Sequence, residues 1–294
     1  MINKSFFTFL EFEKRYSLHT IKAYESDLKQ FSDFSGEVFE VSSFVEVTHS
    51  IVRSWIVSLM DQDVAARSIH RKISTLQSYF NFLIREKQVE KNPMTKVQRP
   101  KVGRKLPSFV EEEQLNNLFD NDLFPADFEG VRNRVLIELL YGTGMRRAEV
   151  CGLKEMDFDL SGSTVRVLGK RNKQRIVPLH IELVNQIKKY LIEKKSLFSS
   201  NNKDEFFVTL RNQPIYPELV YRVVQKYLSL VTTSKKRSPH VLRHTFATHL
   251  LNKGADLNAI KELLGHSSLA ATQVYTHNTI DKLKSIYNQA HPRA

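Results

Sequence analysis

Over residues 1 to about 95 the apolar positions recur at the spacing of helices. Leu18, Ile21, Tyr24, Leu28 and Phe31 form one stripe, with Ser17 placed to cap its first turn. Ile51, Trp55 and Leu59 form a second stripe, and Ile69, Ile73, Leu76, Phe80, Leu83 and Ile84 a third. At this spacing the aromatic residues are expected in the core. Lys91-Asn92-Pro93 is expected to end the last helix, because proline cannot continue it. The stretch from Gln98 to Pro107 holds two prolines, a glycine and four cationic residues, which predicts an extended basic linker. A second helical region opens at Ser108-Phe109-Val110-Glu111, a capping-box pattern. It continues through Val135, Leu136, Leu139 and Leu140 to a stop near Gly142. The period changes to two at Thr164–Leu168 and again at Arg175–Leu179, predicting a β-hairpin with the cationic tip Gly169–Gln174. From 181 onward the pattern is helical again, apart from a short strand candidate at Phe206–Thr209. The expected fold is mainly α with a small antiparallel β-sheet. It divides into a helical domain (1–97), a basic linker (98–107) and a larger α+β domain (108–294).

Composition narrows the class. The chain has 294 residues, 41% hydrophobic and 26% charged, the profile of a two-domain globular protein. Its formal net charge of +12 favours a polyanionic partner, either nucleic acid or an anionic membrane surface. No apolar run approaches the roughly 18 residues of a spanning helix, and the Phe-rich but acid-interrupted start lacks the apolar stretch of a signal peptide. Membrane insertion is therefore not expected. The single cysteine, Cys151, excludes internal disulfides and multi-thiolate zinc sites. The class that remains is a cytoplasmic nucleic-acid-binding protein.

Four segments carry candidate chemistry. Thr143-Gly144-Met145-Arg146-Arg147-Ala148-Glu149 is a glycine break followed by a new helix, with Arg146 in its first turn. The hairpin tip holds Lys170. His240-Val241-Leu242-Arg243-His244 lies on a helix begun by Ser238-Pro239. Leu264-Gly265-His266-Ser267-Ser268 is followed, nine positions after His266, by Tyr275. Taken singly, each has an ordinary reading: an ion-paired arginine, a solvated lysine, a rim tyrosine. His240 and His244 are spaced as in a metalloprotease helix, but Val241 stands where that helix needs its glutamate. His240, His244 and His249 have no acidic residue beside them, so neither a metal nor a cofactor is expected.

Taken together, TGMRRAEV, LGKRNKQRIVPL, SPHVLRHTFATHLL and LGHSSLAATQVYTH resemble the signature of the tyrosine recombinase (phage integrase) family. The likeness spans the whole chain, since SLHTIKAYESDLKQF resembles the family's core-binding domain. The closing His291-Pro292-Arg293-Ala294 is similar to the ending of its Xer branch. One departure is Arg171, where Xer proteins more often have glycine. The resemblance implies six catalytic residues: Arg146, Lys170, His240, Arg243, His266 and the nucleophile Tyr275. It also implies a 3′-phosphotyrosyl intermediate on double-stranded DNA, formed without a metal.

These residue types suit that chemistry. Attack at phosphorus concentrates negative charge on the non-bridging oxygens, and two guanidiniums stabilise it with forked hydrogen bonds. His240 lies three residues before Arg243, so both share a helix face and the imidazole can serve the same phosphate as donor or base. Lys170 is the expected acid for the leaving 5′-oxygen. The two domains are expected to clamp the duplex, with the linker and Lys235-Lys236-Arg237 on phosphates and the N-terminal helices in the major groove. The terminal stripe Thr279, Ile280, Leu283, Ile286 and Tyr287 is expected, by resemblance, to dock on a neighbouring protomer within a tetrameric synaptic complex, with packing on its own domain as the alternative. Whether one recombinase or a paralogous pair acts there is open. Compactness favours a Xer-type role in resolving chromosome dimers at cell division over a mobile-element integrase, resolvase or type IB topoisomerase. A helical DNA-binding regulator without catalysis is the alternative from another class.

Overall fold

The computed structural model describes residues 2–101, 108–169, 173–198, 204–265 and 277–293, with 277–282 described as backbone only. The chain divides into two compact units, Met1–Lys105 and Leu106–Ala294, each with its own core. The fold is mainly helical with one small antiparallel sheet, as the periodicity predicts. No described helix is long and apolar enough to cross a membrane.

The first unit holds α1 (Lys4–Thr8), which runs into a π-helical turn at Phe9–Glu13, then α2 (Leu18–Phe39), α3 (His49–Asp61) and α4 (Ala66–Arg85). Ser17 caps α2 by accepting the Thr20 N–H. The stripes of α3 and α4 lie in the core except for the half-buried Ile84, and there Phe31 meets Trp55 edge-on at 5.0 Å and Phe6 meets Tyr79 at 4.9 Å. The α2 stripe holds only in part. Leu28 and Phe31 are buried, but Leu18 is 65% exposed, because α2 is tied to α4 further along the helix. That tie is polar. The buried Asp27 carboxylate accepts Lys72 at 3.0 Å, Thr75 at 2.9 Å and a bond from Arg71. The last helix also ends earlier than its proline predicts. It closes at Arg85, with Lys87 in the left-handed region at φ 57°, and Asn92 instead caps the turn at Met94.

The second unit is built around α6 (Phe128–Thr143), which is buried on nearly every side and packs against α8 (Ile181–Leu197) and α10 (Pro239–Asn252). Ahead of it stands α5 (Glu112–Asp120). Its capping box is Glu111 with Gln114, three residues later than the Ser108 pattern suggests. The remaining helices are α7 (Arg147–Cys151), α9 (Pro217–Val231), α11 (Leu257–Leu264) and α12 (His277–Ala290). The sheet runs β1 (Phe158–Asp159), β2 (Thr164–Leu168), β3 (Gln174–Pro178), all antiparallel. The hairpin is the expected one, closed by Gly169 N–H to Lys173 O at 2.7 Å, and β1 is an addition to it. Phe206–Thr209 forms no strand. Val208 within it makes only an isolated bridge with Pro214, and Glu205 beside it one with Lys154.

Part of the C-terminal stripe is covered by the chain itself. Leu283, Tyr287 and Ala290 are buried in the second unit's core, and the Tyr287 hydroxyl donates to Gly142 O at 2.9 Å. The side chains of Thr279 and Ile280 lie outside the described residues.

Candidate active site

The break after α6 has a steric cause. Gly144 ends the helix at φ 60°, and a Cβ built on it would stand 2.5 Å from Phe246 Cδ1 and 2.7 Å from Leu264 Cδ2. Only glycine lets α6 turn here while α10 and α11 close on it. Two residues later Arg146 is the extended N-cap of α7, not a residue of its first turn. Glu149 fixes it there. The carboxylate accepts the Arg146 N–H at 2.8 Å and Arg146 Nη1 at 2.7 Å, leaving the arginine side chain 40% exposed.

Arg243 comes from α10, whose start is the expected one, with Ser238 as N-cap and Pro239 in the first turn. Its buried guanidinium donates Nη1 to Gly144 O at 2.6 Å and Nη2 to Leu264 O at 2.7 Å. Among the described residues no carboxylate makes an ion pair with it. Burial and the nearby charge of Arg146 lower its pKa to about 10, so it remains a cation at neutral pH. One turn back, His240 is exposed. Arg146, His240 and Arg243 line one pocket of about 470 Å³, together with Arg147, Tyr221 and Ser238. Burial, and then the charge of His240, lower the pKa of the neighbouring His244.

Three of the six sequence-derived residues are thus brought together. Lys170, His266 and Tyr275 lie outside the described residues, as does Arg171. The chain leading to two of them is described, at Gly169 and Gly265. Two residues that sequence reasoning missed join the site from beneath. Arg175, inward-facing on β3 and buried, forks onto Glu149 at 3.1 and 2.8 Å and donates Nε to Leu263 O at 2.8 Å. Burial pushes the Glu149 carboxyl up, and the bonds and charge of Arg175 and Arg146 more than reverse this, leaving it below the usual carboxylate value. The signal was available in the hairpin pattern. Arg175 pairs in register with the inward Val167, so the alternation that buries Val167 buries the arginine too.

A second polar cluster lies away from this pocket. Ligand atoms of Glu138, His180 and Glu182 lie within 4.8 Å of one another, spacing that could hold a cation. A guanidinium is already there: Arg293 donates to Glu182 at 2.8 Å and to Asp120 at 2.9 Å, with its Nε 3.8 Å from Glu138. His180 Nδ1 accepts the Leu183 N–H, which leaves its proton on Nε2, the nitrogen a metal would need bare. The cluster fits the C-terminal arginine better than a metal.

Comparison with known proteins agrees with this geometry. Residues 108–282 match the phage integrase family and residues 4–87 match the phage integrase N-terminal SAM-like domain. The chain belongs to the phage integrase family. It is 42% identical to the tyrosine recombinase XerC of Halalkalibacterium halodurans, over 99% of this chain and 97% of that one. It is 38% identical to the XerC of Listeria monocytogenes, over 100% and 98%. Among solved structures, the XerH site-specific recombinase bound to palindromic difH substrate shares the fold with a TM-score of 0.73 at 24% identity, covering 92% of this chain and 80% of that one. A lambda integrase tetramer bound to a Holliday junction gives 0.68 at 19% identity, covering 90% and 73%. With this kinship, the chain is a site-specific tyrosine recombinase of the Xer type, an enzyme that breaks and rejoins DNA strands.

Proposed function

We propose that the chain resolves chromosome dimers at cell division, acting in the cytoplasm on double-stranded DNA through a 3′-phosphotyrosyl intermediate on Tyr275. The observation that carries the catalytic part is the pocket shared by Arg146, His240 and Arg243, where a buried cation lacks a carboxylate counterion among the described residues. An anionic phosphate supplies the missing charge. In this reading Arg146 and Arg243 hold the non-bridging oxygens, with His266 donating to another. His240 donates to the same phosphate or takes the Tyr275 proton. A phenol titrates near pH 10 in its ordinary state, so attack at neutral pH needs such a base or a cationic surround. Lys170 protonates the leaving 5′-oxygen. The phosphotyrosyl ester keeps the energy of the broken bond for rejoining, so no nucleotide cofactor is required.

Residues 1–97 and 108–294 are assigned to the two arms of a clamp joined by the basic linker 98–107, within a tetrameric synaptic complex. Support for such an assembly comes from the lambda integrase relative of the same fold, solved as a tetramer on a Holliday junction. Whether the partner protomers are paralogous is decided by the symmetry of the two half-sites. The test is covalent trapping on nicked duplexes drawn from a random pool. Wild type is expected to form a protein–DNA adduct. Tyr275→Phe, which removes only the hydroxyl, is expected to bind with near-normal affinity and form none. An adduct with Tyr275→Phe would remove the nucleophile assignment. Unequal selected half-sites would indicate a paralogous partner.

A further inference from the structure

Arg175 is a buried guanidinium in the unit that holds the cleavage pocket, and its partners are unusual in where they lead. Two of its donors take the Glu149 carboxylate as a parallel fork, and that same carboxylate holds the backbone and side chain of Arg146. A third donor takes Leu263 O, at the end of α11. The next carbonyl, Leu264 O, belongs to Arg243. Two buried arginines therefore grip successive carbonyls of one helix end, one from β3 and one from α10.

The glycines around it show how closely it is fitted. Gly265 sits at φ 64°, and a Cβ there would stand 3.2 Å from both Cδ and Nη1 of Arg175. A Cβ on Gly169 would stand 3.2 Å from Lys173 O and 3.6 Å from Arg175 Nη1 and Glu149 Oε1. Gly169 precedes Lys170 in the chain and Gly265 precedes His266. The guanidinium thus lies against the last described residue before each of two catalytic candidates, while fixing the carboxylate that fixes a third.

We propose that Arg175 is a positioning residue for strand cleavage: its buried guanidinium sets the spacing between Arg146, the hairpin turn leading to Lys170 and the helix end leading to His266. The shape of the group matters as much as its charge. Glu149 and Leu263 O are reached by three N–H groups held in one plane, which an ammonium cannot present. This inference rests on the catalytic roles proposed above for Arg146, Lys170 and His266.

The test compares Arg175→Met and Arg175→Lys with wild type in the full-length protein. Adduct formation on a nicked duplex is measured at saturating DNA, per folded molecule, beside the dissociation constant for the same duplex. Misplacing reacting groups by about an ångström costs on the order of 10²-fold in rate, and that loss is expected for Arg175→Met with DNA affinity little changed. Arg175→Lys is expected to remain slow as well. A wild-type rate in the folded Met variant would overturn the proposal, showing a role in stability alone. A wild-type rate in the Lys variant would overturn it too, because charge without the fork would then suffice. A loss confined to DNA affinity, with the saturating rate intact, would also count against it. Should the Met variant not fold, the Lys variant carries the comparison. Tyr275→Phe run in parallel separates the two levels: an adduct there defeats the catalytic assignment, whereas no adduct there beside a fast Arg175 variant defeats positioning alone.

Discussion

Glu138 shows how a single interior charge sets a pH response. Its carboxylate is fully buried on α6 and makes no hydrogen bond among the described residues. Burial raises its pKa to about 7 against the opposing pull of Arg134 and Arg293. A carboxyl whose folded pKa exceeds its unfolded one binds more protons when folded, so its favourable contribution is present below about pH 4.5 and fades as pH rises toward 7. Glu138→Gln is therefore expected to match wild type most nearly in acid and to gain on it between these values, by an amount on the order of 3 kcal/mol. Urea unfolding of both proteins at pH 5 and pH 8 checks this; a pH-independent difference would contradict it. At this scale the sequence was legible where motif spacing carried the information. Arg146, His240 and Arg243 stand out by their neighbours in the chain and share the pocket. Glu149 and Arg175 were not, because a charged residue read alone is assigned to the surface. For Arg175 the alternation with Val177 was the available signal, and the strand register completes it.

Among the elements, periodicity located the helices and the hairpin well, and cap chemistry located their ends less well. Ser108 and Glu111 both offer a cap ahead of an apolar run, and the tertiary bond from Val110 N–H to Thr245 Oγ1 at 3.0 Å goes with the later one. Likewise Pro93 marks a real break, but the chain leaves α4 sooner through Lys87. The α6–α7 junction depends on a glycine for two separate reasons, the positive φ of Gly144 and the contacts its missing Cβ would make. Left-handed backbone costs a non-glycine residue about 1–2 kcal/mol, and overpacking adds about 1–3 kcal/mol. Gly144→Ala is thus expected to destabilise by about 2–5 kcal/mol. Denaturant midpoints measure it, and a loss below 1 kcal/mol would mean that Phe246 and Leu264 yield freely. His180 and His291, buried with their rings stacked 5.7 Å apart, have the opposite sign to Glu138. Burial lowers His180 to about pH 4 and His291 well below its usual value, so both favour the fold above pH 6.5 and weaken it as the medium acidifies.

For the whole molecule the dominant quantity is the net charge of +12. Binding that replaces counterions on a duplex weakens with salt, with log K falling by about 0.9 per phosphate neutralised. The affinity of Tyr275→Phe for a duplex is expected to fall steeply and linearly on a double-logarithmic plot of salt. Arg243→Met should lower the slope by about one contact. A flat salt profile would argue against a phosphate-tracking clamp. The division into two helical units was readable from the two separate runs of apolar stripes, while the packing of α12 on its own unit was not, because an apolar stripe does not say whose core it joins.

Arg243 is held by the main-chain oxygens of Gly144 and Leu264, and this shapes how the enzyme can diverge. No side-chain replacement deletes a carbonyl. Leu264 can therefore drift among similar side chains while the grip on the guanidinium persists. A change of side chain at Leu264 leaves both acceptors in place, whereas a change at Arg243 removes both donors. What must be kept is the path of the backbone through Gly144 and Gly265, both at positive φ, which carries the two acceptors to the guanidinium.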